Sequence, residues 1–249
     1  MDNKSSGGLE MTLHAIGIKL VVLSLALLPA LAEAAAPSIG RVLRLTGEQI
    51  GHAEAPGAPA RKLAAGDPVY AGERIRTGAE TVLQIEFTDK GRFTLGPNAE
   101  FEVSQYSYAS GGEDAFFSRV LKGAFRFVTG IIARKERKNL RVGVLVATIG
   151  IRGTHFEGEV IERQEKDGKT VDASAKVVLL EPEGADGGSA IVVENQFGSV
   201  VIDQPGFGTE IPDEKSPPSP IRRMQLRTLD NLQRVIRSPA RTGGPMRRP

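Results

Sequence analysis

Residues 82–103 read VLQIEFTDKGRFTLGPNAEFEV, and this stretch decides the class of fold. Apolar and polar side chains alternate, which places Leu83, Ile85 and Phe87 on one face of an extended segment. An Asp-Lys-Gly turn follows, and the same alternation resumes at Phe93. Period-two alternation that is interrupted by turn residues is typical of half-buried β-strands joined by short hairpins.

The same pattern continues through most of the chain. Strand-like runs occupy residues 190–194 and 199–203, and Asp167-Gly168 is a strong signal for a type I′ hairpin turn. We therefore predict an all-β chain whose core is a single meandering β domain, residues 37–211.

Three glycines leave the type of β domain open. Gly66, Gly72 and Gly78 are spaced six residues apart. Glycines at a fixed period favour stacked turns, as in a β-roll or solenoid, but the hairpin turns of a sandwich contain the same residues. A β-roll or solenoid and a sandwich are therefore the two alternatives.

Residues 1–36 have the pattern of an export signal. Lys19 precedes an uninterrupted apolar run, residues 20–31, and Ala32-Glu33-Ala34 follows with the spacing of a cleavage site. The run is shorter than the roughly 20 residues that cross a bilayer. We predict a cleaved signal helix and a periplasmic or secreted protein, in preference to an inner-membrane anchor.

Residues 212–249 form a separate tail. Its first part, residues 212–220, reads PDEKSPPSP and is a semi-rigid linker. Apolar residues then recur at helical spacing over 220–237, which predicts an amphipathic helix rich in arginine. Such a helix indicates contact with an anionic membrane surface. The favoured alternative is a solvated basic tail whose apolar stripe packs on the β domain.

The composition excludes several classes of function. The chain has no Cys, so disulfides, thiolate metal sites and a cysteine nucleophile are excluded. The net charge of +2 is too small to steer the whole molecule towards nucleic acid, and we expect no nucleic-acid partner. Only His155 of the three histidines lies in a structured motif, and the sequence has no P-loop, metal-spaced histidine pair or nucleophile elbow. We therefore predict a protein that is not an enzyme and has no cofactor and no metal.

Four segments, taken in order, resemble the FecR protein domain. They are Leu63–Asp67 with Gly72–Gly78, Leu83–Phe87 with Asp89, Gly91 and Phe93–Leu95, Leu121–Phe125, and Ala147–Phe156, so the resemblance covers residues 60–157. The sequence departs from the family at Thr148-Ile149, where the family often has Thr-Pro, and at Lys90, which is inserted in a turn that is usually Asp-Gly.

The resemblance implies an exported, non-enzymatic binding module of the cell envelope whose partner is another envelope protein or polymer. The best known members of the family regulate a sigma factor through a long cytoplasmic N-terminal segment. Only about nineteen residues precede the apolar run here, which is too short for an independently folded domain. The alternative reading is a membrane-anchored FecR-type sensor or regulator of sigma-factor signalling.

The motif positions are the candidate site residues, with structural or binding roles. They are Gly66, Asp67, Gly72, Arg76, Thr77, Gly78, Asp89, Gly123, Arg152, Gly153 and Thr154. The glycines at 78 and 153 are predicted to have positive φ or to allow two backbones to approach closely.

The charged members have two interpretations each. Asp67 and Asp89 are predicted to bond to their own turns, and a catalytic carboxylate pair that includes Glu73 is the less favoured alternative. Arg76 and Arg152 would present guanidinium groups to an anionic ligand, or, as we favour, form internal ion pairs with Asp67 or Glu73.

Overall fold

The computed structural model describes residues 36–109, 112–135, 139–166, 168–181 and 189–226. The predicted signal helix and the part of the predicted C-terminal helix beyond residue 226 lie outside these ranges. Within them, one short helix, Ile132–Lys135, interrupts the strands. No helix of the described residues is long and apolar enough to cross a membrane.

Two sheets contain most of the strands. The first sheet has, in spatial order, β4 (Pro68–Val69), β1 (Gly40–Thr46), β6 (Val82–Phe87), β7 (Arg92–Leu95), the second half of β9 (Ala115–Val128), β12 (His155–Ile161), β15 (Ser174–Leu180), β18 (Phe207–Ile211) and β19 (Arg222–Arg223). The second sheet has β3 (Arg61–Lys62), β2 (Gly51–Glu54), β5 (Arg74–Thr77), β8 (Glu100–Ser107), the first half of β9, β10 (Leu140–Val144), β11 (Ala147–Arg152), β16 (Ala190–Asn195) and β17 (Gly198–Ile202).

A separate hairpin, β13 (Gln164–Lys166) and β14 (Lys169–Val171), lies between β12 and β15 in the chain. Gly168 of the predicted Asp167-Gly168 turn has a φ of +71°, whereas Asp167 lies outside the described residues. All described pairings are antiparallel except that of β9 with β10, which is parallel.

The long strand β9 belongs to both sheets. Its residues 115–122 pair with β8, and its residues 123–128 pair with β12 and, in part, with β7. The change of sheet occurs at Gly123, whose φ of +90° lies in the region that favours glycine. An added Cβ at this position would lie 2.6 Å from the Cα atom of Ala99, so glycine is also required for space.

The two sheets pack face to face. Phe93 of the first sheet stacks on Phe101 of the second, with ring centroids 4.1 Å apart. Phe87 meets Phe116 across the same interface at 5.0 Å. These rings belong to one core to which both sheets contribute. The arrangement is that of two packed sheets, and it confirms the all-β prediction.

The periodic glycines have a different explanation from stacked turns. Gly66 and Gly72 occupy turns at positive φ, whereas Gly78 does not have positive φ. The short strands between them alternate between the sheets, since β4 belongs to the first and β5 to the second. The six-residue spacing therefore reflects successive crossings from sheet to sheet.

The predicted helix over 220–237 is wrong for the residues that are described. Arg222 and Arg223 form β19, which pairs with β18, and the Met224 amide donates to the Gly206 carbonyl at 2.9 Å. Backbone groups on the edge of β18 thus gain partners that a helix would not supply.

The residues after β19 pack on the outer face of the first sheet. Leu226 is buried against Val82, Ala124 and Val178, and Met224 packs on the same cluster. This contact agrees with the alternative in which the apolar residues of the tail dock on the β domain.

Replacing Gly123 by Ala should destabilise the fold more than the same change at Gly66. Both glycines have φ near +90°, but an added Cβ at Gly66 meets nothing within 4 Å. We expect Gly66→Ala to cost about 1–2 kcal/mol through backbone strain alone. Gly123→Ala should cost about 1–3 kcal/mol more because of its overlap with Ala99. Urea unfolding of the two variants measures this difference, and equal losses would contradict the packing role of Gly123.

The outer face of the second sheet as a candidate binding face

Asp67 belongs to a turn, and Glu73 belongs to an internal ion pair. Asp67 Oδ2 accepts a hydrogen bond from the Ala64 amide at 2.7 Å, as predicted for a turn residue. Glu73 is buried and accepts two bonds from the Arg61 guanidinium, at 2.9 and 3.0 Å. The Tyr70 amide donates to the same Glu73 carboxylate at 2.9 Å. These contacts hold the turns around β4 together.

Asp89 is buried at the centre of a hydrogen-bonded turn. Its carboxylate accepts bonds from the Gly91 amide at 3.0 Å, the Tyr106 hydroxyl at 3.3 Å and the Ile132 amide at 3.4 Å. Burial raises the pKa of Asp89, because the apolar surroundings disfavour the charged form more than these bonds stabilise it. Burial likewise raises the pKa of Tyr106. Asp67, Glu73 and Asp89 are each held by different partners, so the arrangement does not resemble a catalytic carboxylate pair.

The threonine motif positions are structural. The buried Thr77 hydroxyl donates to the Gly96 carbonyl at 2.6 Å and accepts from the Ala99 amide at 2.9 Å. Thr154 is buried, and its carbonyl accepts a bond from the Thr129 amide at 3.4 Å.

The predicted reasons for glycine at positions 78 and 153 both occur, one at each position. A Cβ at Gly78 would lie 2.9 Å from the Cβ of Ile50, so this glycine allows close approach. Gly153 has a φ of +53° and open space around it, so its backbone conformation explains the residue.

Arg76 lies in a compensated charge network on the outer face of the second sheet. Its guanidinium contacts Glu54 at 2.7 Å and Glu100 at 3.3 Å. Hydrogen bonds to Glu54 and Glu100 raise the pKa of Arg76. Arg74 beside it contacts Glu100 and Glu102 at 3.4 and 3.7 Å. Two arginines on β5 thus face three carboxylates on β2 and β8.

Arg152 differs from Arg76. The predicted ion pairs with Asp67 or Glu73 are wrong for both arginines, because Glu73 is bonded to Arg61 and Arg76 has partners on its own sheet. Arg152 is exposed and has no ion pair with any residue that the structure describes. It therefore matches the other interpretation, a guanidinium available to an anionic group.

Arg152 lines an open groove that we call the arginine groove. The groove has a volume of about 340 Å³ and is lined by Leu140, Arg141, Gly150, Ile151, Arg152, Val192 and Glu194. Arg141 is exposed, and Gly150 is its partner in the register of β10 and β11. Because Gly150 has no side chain, the space between the two arginines is open.

Arg119 extends the basic surface by one strand. It pairs in register with Gly143 on β10, and its Nε atom lies 3.9 Å from where a Cβ of Gly143 would be. Arg119 and Arg141, like Arg152, have no ion pair within the described ranges. Three exposed arginines therefore lie on three consecutive strands, β9, β10 and β11.

A second groove, also of about 340 Å³, adjoins the arginine groove at the turns of the same strands, and we call it the turn groove. Its lining includes Leu145, Thr148, Asn195, Phe197 and Glu214, together with Glu194, which lines both grooves. Leu145 is 40% exposed and Phe197 is 45% exposed, so both present apolar surface to solvent. The outer face of the second sheet thus combines exposed arginines with exposed apolar groups.

Sequence reasoning identified Arg152 but missed Arg119, Arg141 and Phe197. The alternation of residues 140–144 already places Arg141 opposite the buried valines, so its exposure was predictable. The lack of a described carboxylate partner for Arg141 was not predictable, because it depends on which strands become neighbours. Among the described residues, no group of three or more His, Cys, Asp or Glu side chains is arranged to hold a metal ion.

Glu73→Gln should destabilise the protein more than Arg76→Gln. Glu73 is buried against Arg61, whose side chain is 34% exposed, so we expect a loss of about 2 kcal/mol, below the range for fully buried pairs. The side chains of Arg76 and Glu54 are both 43% exposed, so solvent screening should limit the second loss to below about 1 kcal/mol. Chemical denaturation at pH 7 tests the order, and a larger loss for Arg76→Gln would refute it.

Asp89 should make stability depend on pH. Because its folded pKa lies above the ordinary value of 3.8, protonated Asp89 favours the folded state. This contribution is present below pH 3.8 and is lost as the pH rises through the folded pKa. Asp89→Asn removes the titration, so the free energy of unfolding of the native chain minus that of the variant should fall between pH 3 and pH 7. Urea titrations across this range measure it, and a difference that rises with pH would show that the pKa is lowered.

Comparisons with known proteins find two similar solved structures and one matching protein family. Two crystal structures of a candidate anti-sigma factor from Parabacteroides distasonis, at 1.65 and 2.50 Å resolution, resemble the chain with a TM-score of 0.45 and 12% sequence identity. The likeness covers 65% of this chain and 64% and 63% of those chains. No curated protein matches the sequence.

The family model described as FecR protein matches residues 73–180, which extend from the start of the β5 region to the end of β15. Eight of the eleven predicted motif positions lie inside this range, and Gly66, Asp67 and Gly72 precede it. The arginines of β9, β10 and β11 also lie inside it. The chain therefore contains a FecR domain.

Proposed function

We propose that this chain is an exported binding module of the cell envelope that recognises another envelope protein through the outer face of its second sheet. The observation that carries the proposal is a set of exposed arginines that form no ion pair with any described residue, beside the exposed side chains of Leu145 and Phe197. The arginines lie within the residues that match the FecR family. A FecR domain is consistent with a regulatory protein that is not an enzyme.

The composition of this face favours a protein partner. Arginine and aromatic residues are enriched at protein interfaces, where a few buried anchors contribute most of the affinity. Phe197 and Leu145 would supply apolar anchors, and Arg141 and Arg152 would supply charged contacts. Both grooves are open depressions in a sheet surface, a shape that suits an extended segment better than an enclosed small molecule.

The edge of the second sheet offers further contacts. β17 pairs only with β16 among the described strands, and its Val201 is 55% exposed. An unpaired strand edge presents amide and carbonyl groups that a partner strand can bind. The edge adjoins the turn groove, because Phe197 lies in the turn between β16 and β17 and lines that groove.

A second candidate function is that of a membrane-anchored FecR-type sensor in sigma-factor signalling. The family assignment favours it, since the best known FecR proteins regulate a sigma factor. It requires that the apolar run, residues 20–31, remains as a membrane anchor and that residues 1–19 meet a cytoplasmic partner.

N-terminal sequencing of the native protein, combined with cell fractionation, separates the two candidates. A terminus near Ala35 or Pro37 in the periplasmic or secreted fraction would support the exported module. An intact terminus in the inner-membrane fraction would contradict it and support the sensor.

A photo-cross-linkable residue at Phe197 should capture a partner in cells. Phe197 lines the turn groove, so we expect one specific adduct in the envelope fraction that a purified form of the same partner reproduces. The matched control is Leu43 on β1 of the first sheet, which is 37% exposed and lies far from the groove in the strand order. Adducts at Leu43 only, or at neither position, would contradict the proposed face.

A further inference from the structure

We infer that the arginine groove binds an extended acidic segment of the partner protein, with carboxylates at alternate positions. This inference rests on the proposed function and specifies the chemistry of the partner. It follows from the spacing of three arginines, from the contrast between two halves of the same sheet face, and from the glycine floor between the arginines.

The arginines lie on a diagonal across three strands. Arg141 pairs with Gly150, so Arg152, two residues further along β11, is its diagonal neighbour. Arg119 pairs with Gly143, so it is the diagonal neighbour of Arg141 on the other side. Diagonal neighbours on one face of a sheet are about 7–8 Å apart. Alternate residues of an extended peptide are about 6.6–6.8 Å apart and point to the same side. The two spacings match closely enough for long side chains to meet.

The charges on this half of the face lack the compensation that is present on the other half. Arg74 and Arg76 have carboxylate partners on the neighbouring strands β2 and β8. On β9, β10 and β11 the corresponding positions hold phenylalanine, arginine, glycine and threonine. Glu194 on β16 is the carboxylate that lines the arginine groove, and it forms no ion pair within the described residues. Incoming carboxylates would therefore meet guanidinium groups that are already oriented by the sheet.

The floor of the groove leaves room for a peptide. Gly150 and Gly143 carry no side chains, and a Cβ built at Gly150 would meet only Val192, at 3.9 Å. Phe117 pairs in register with Arg141 and borders the diagonal on its other side. A planar guanidinium matches the two oxygens of a carboxylate, which explains the preference for arginine over lysine here.

The test measures binding of a fluorescein-labelled EVEVE peptide to the purified full-length chain by fluorescence anisotropy at low and physiological salt. Arg141→Gln/Arg152→Gln should weaken binding about tenfold, the ratio expected from the loss of about one charged hydrogen bond. Glu194→Gln should tighten binding, because it removes a negative charge in the groove lining that repels the carboxylates of the peptide. Arg41→Gln on the first sheet is the matched control and should bind like the native chain.

Three results would overturn the inference. The first is equal affinity for the native chain and Arg141→Gln/Arg152→Gln. The second is equal affinity for EVEVE and an EEVVE peptide, which has the same charge but no two carboxylates at alternate positions. The third is tighter binding of inorganic polyphosphate, which would assign the groove to a phosphate polymer instead.

The outcome is separable from that of the proposed function. If the peptide does not bind but the cross-link at Phe197 persists, the acidic-segment inference fails and the binding module stands. If the cross-link is also absent, the proposed function itself fails.

Discussion

The two sheets depend on the hydrogen bonding of β9, a single strand that both of them share. Its first half bonds to β8 and β10, and its second half bonds to β7 and β12. Each half of β9 is therefore an interior strand of one sheet. The bend at Gly123 fixes how the two sheets meet. Phe116 and Phe127 lie on opposite sides of that bend and still stack at 5.2 Å, so the core continues through it.

The class of fold was predictable because alternation is a local property. Leu83, Ile85 and Phe87 alternate with polar residues in the sequence, and they are fully or almost fully buried in the structure. The distribution of strands between two sheets was not predictable in the same way. It depends on pairings between residues far apart in the chain, such as Gly40 with Phe87.

The same distinction explains the candidate site. The turn role of Asp67 follows from its neighbours three residues away, and the sequence predicts it correctly. The C-terminal helix was predicted from a local period, but the edge of β18 offered hydrogen bonds that outweighed it. The difference between Arg76 and Arg152 arises from neighbouring strands. Three carboxylates face Arg76 and Arg74, whereas glycines and a second set of arginines surround Arg152.

The contact of Leu226 with the outer face of the first sheet gives the domain two unlike sides. One side is covered in part by Met224 and Leu226, and the other presents arginines and apolar groups to solvent. Because Met224 and Leu226 occupy the first sheet, a partner that binds the second sheet would not have to displace them.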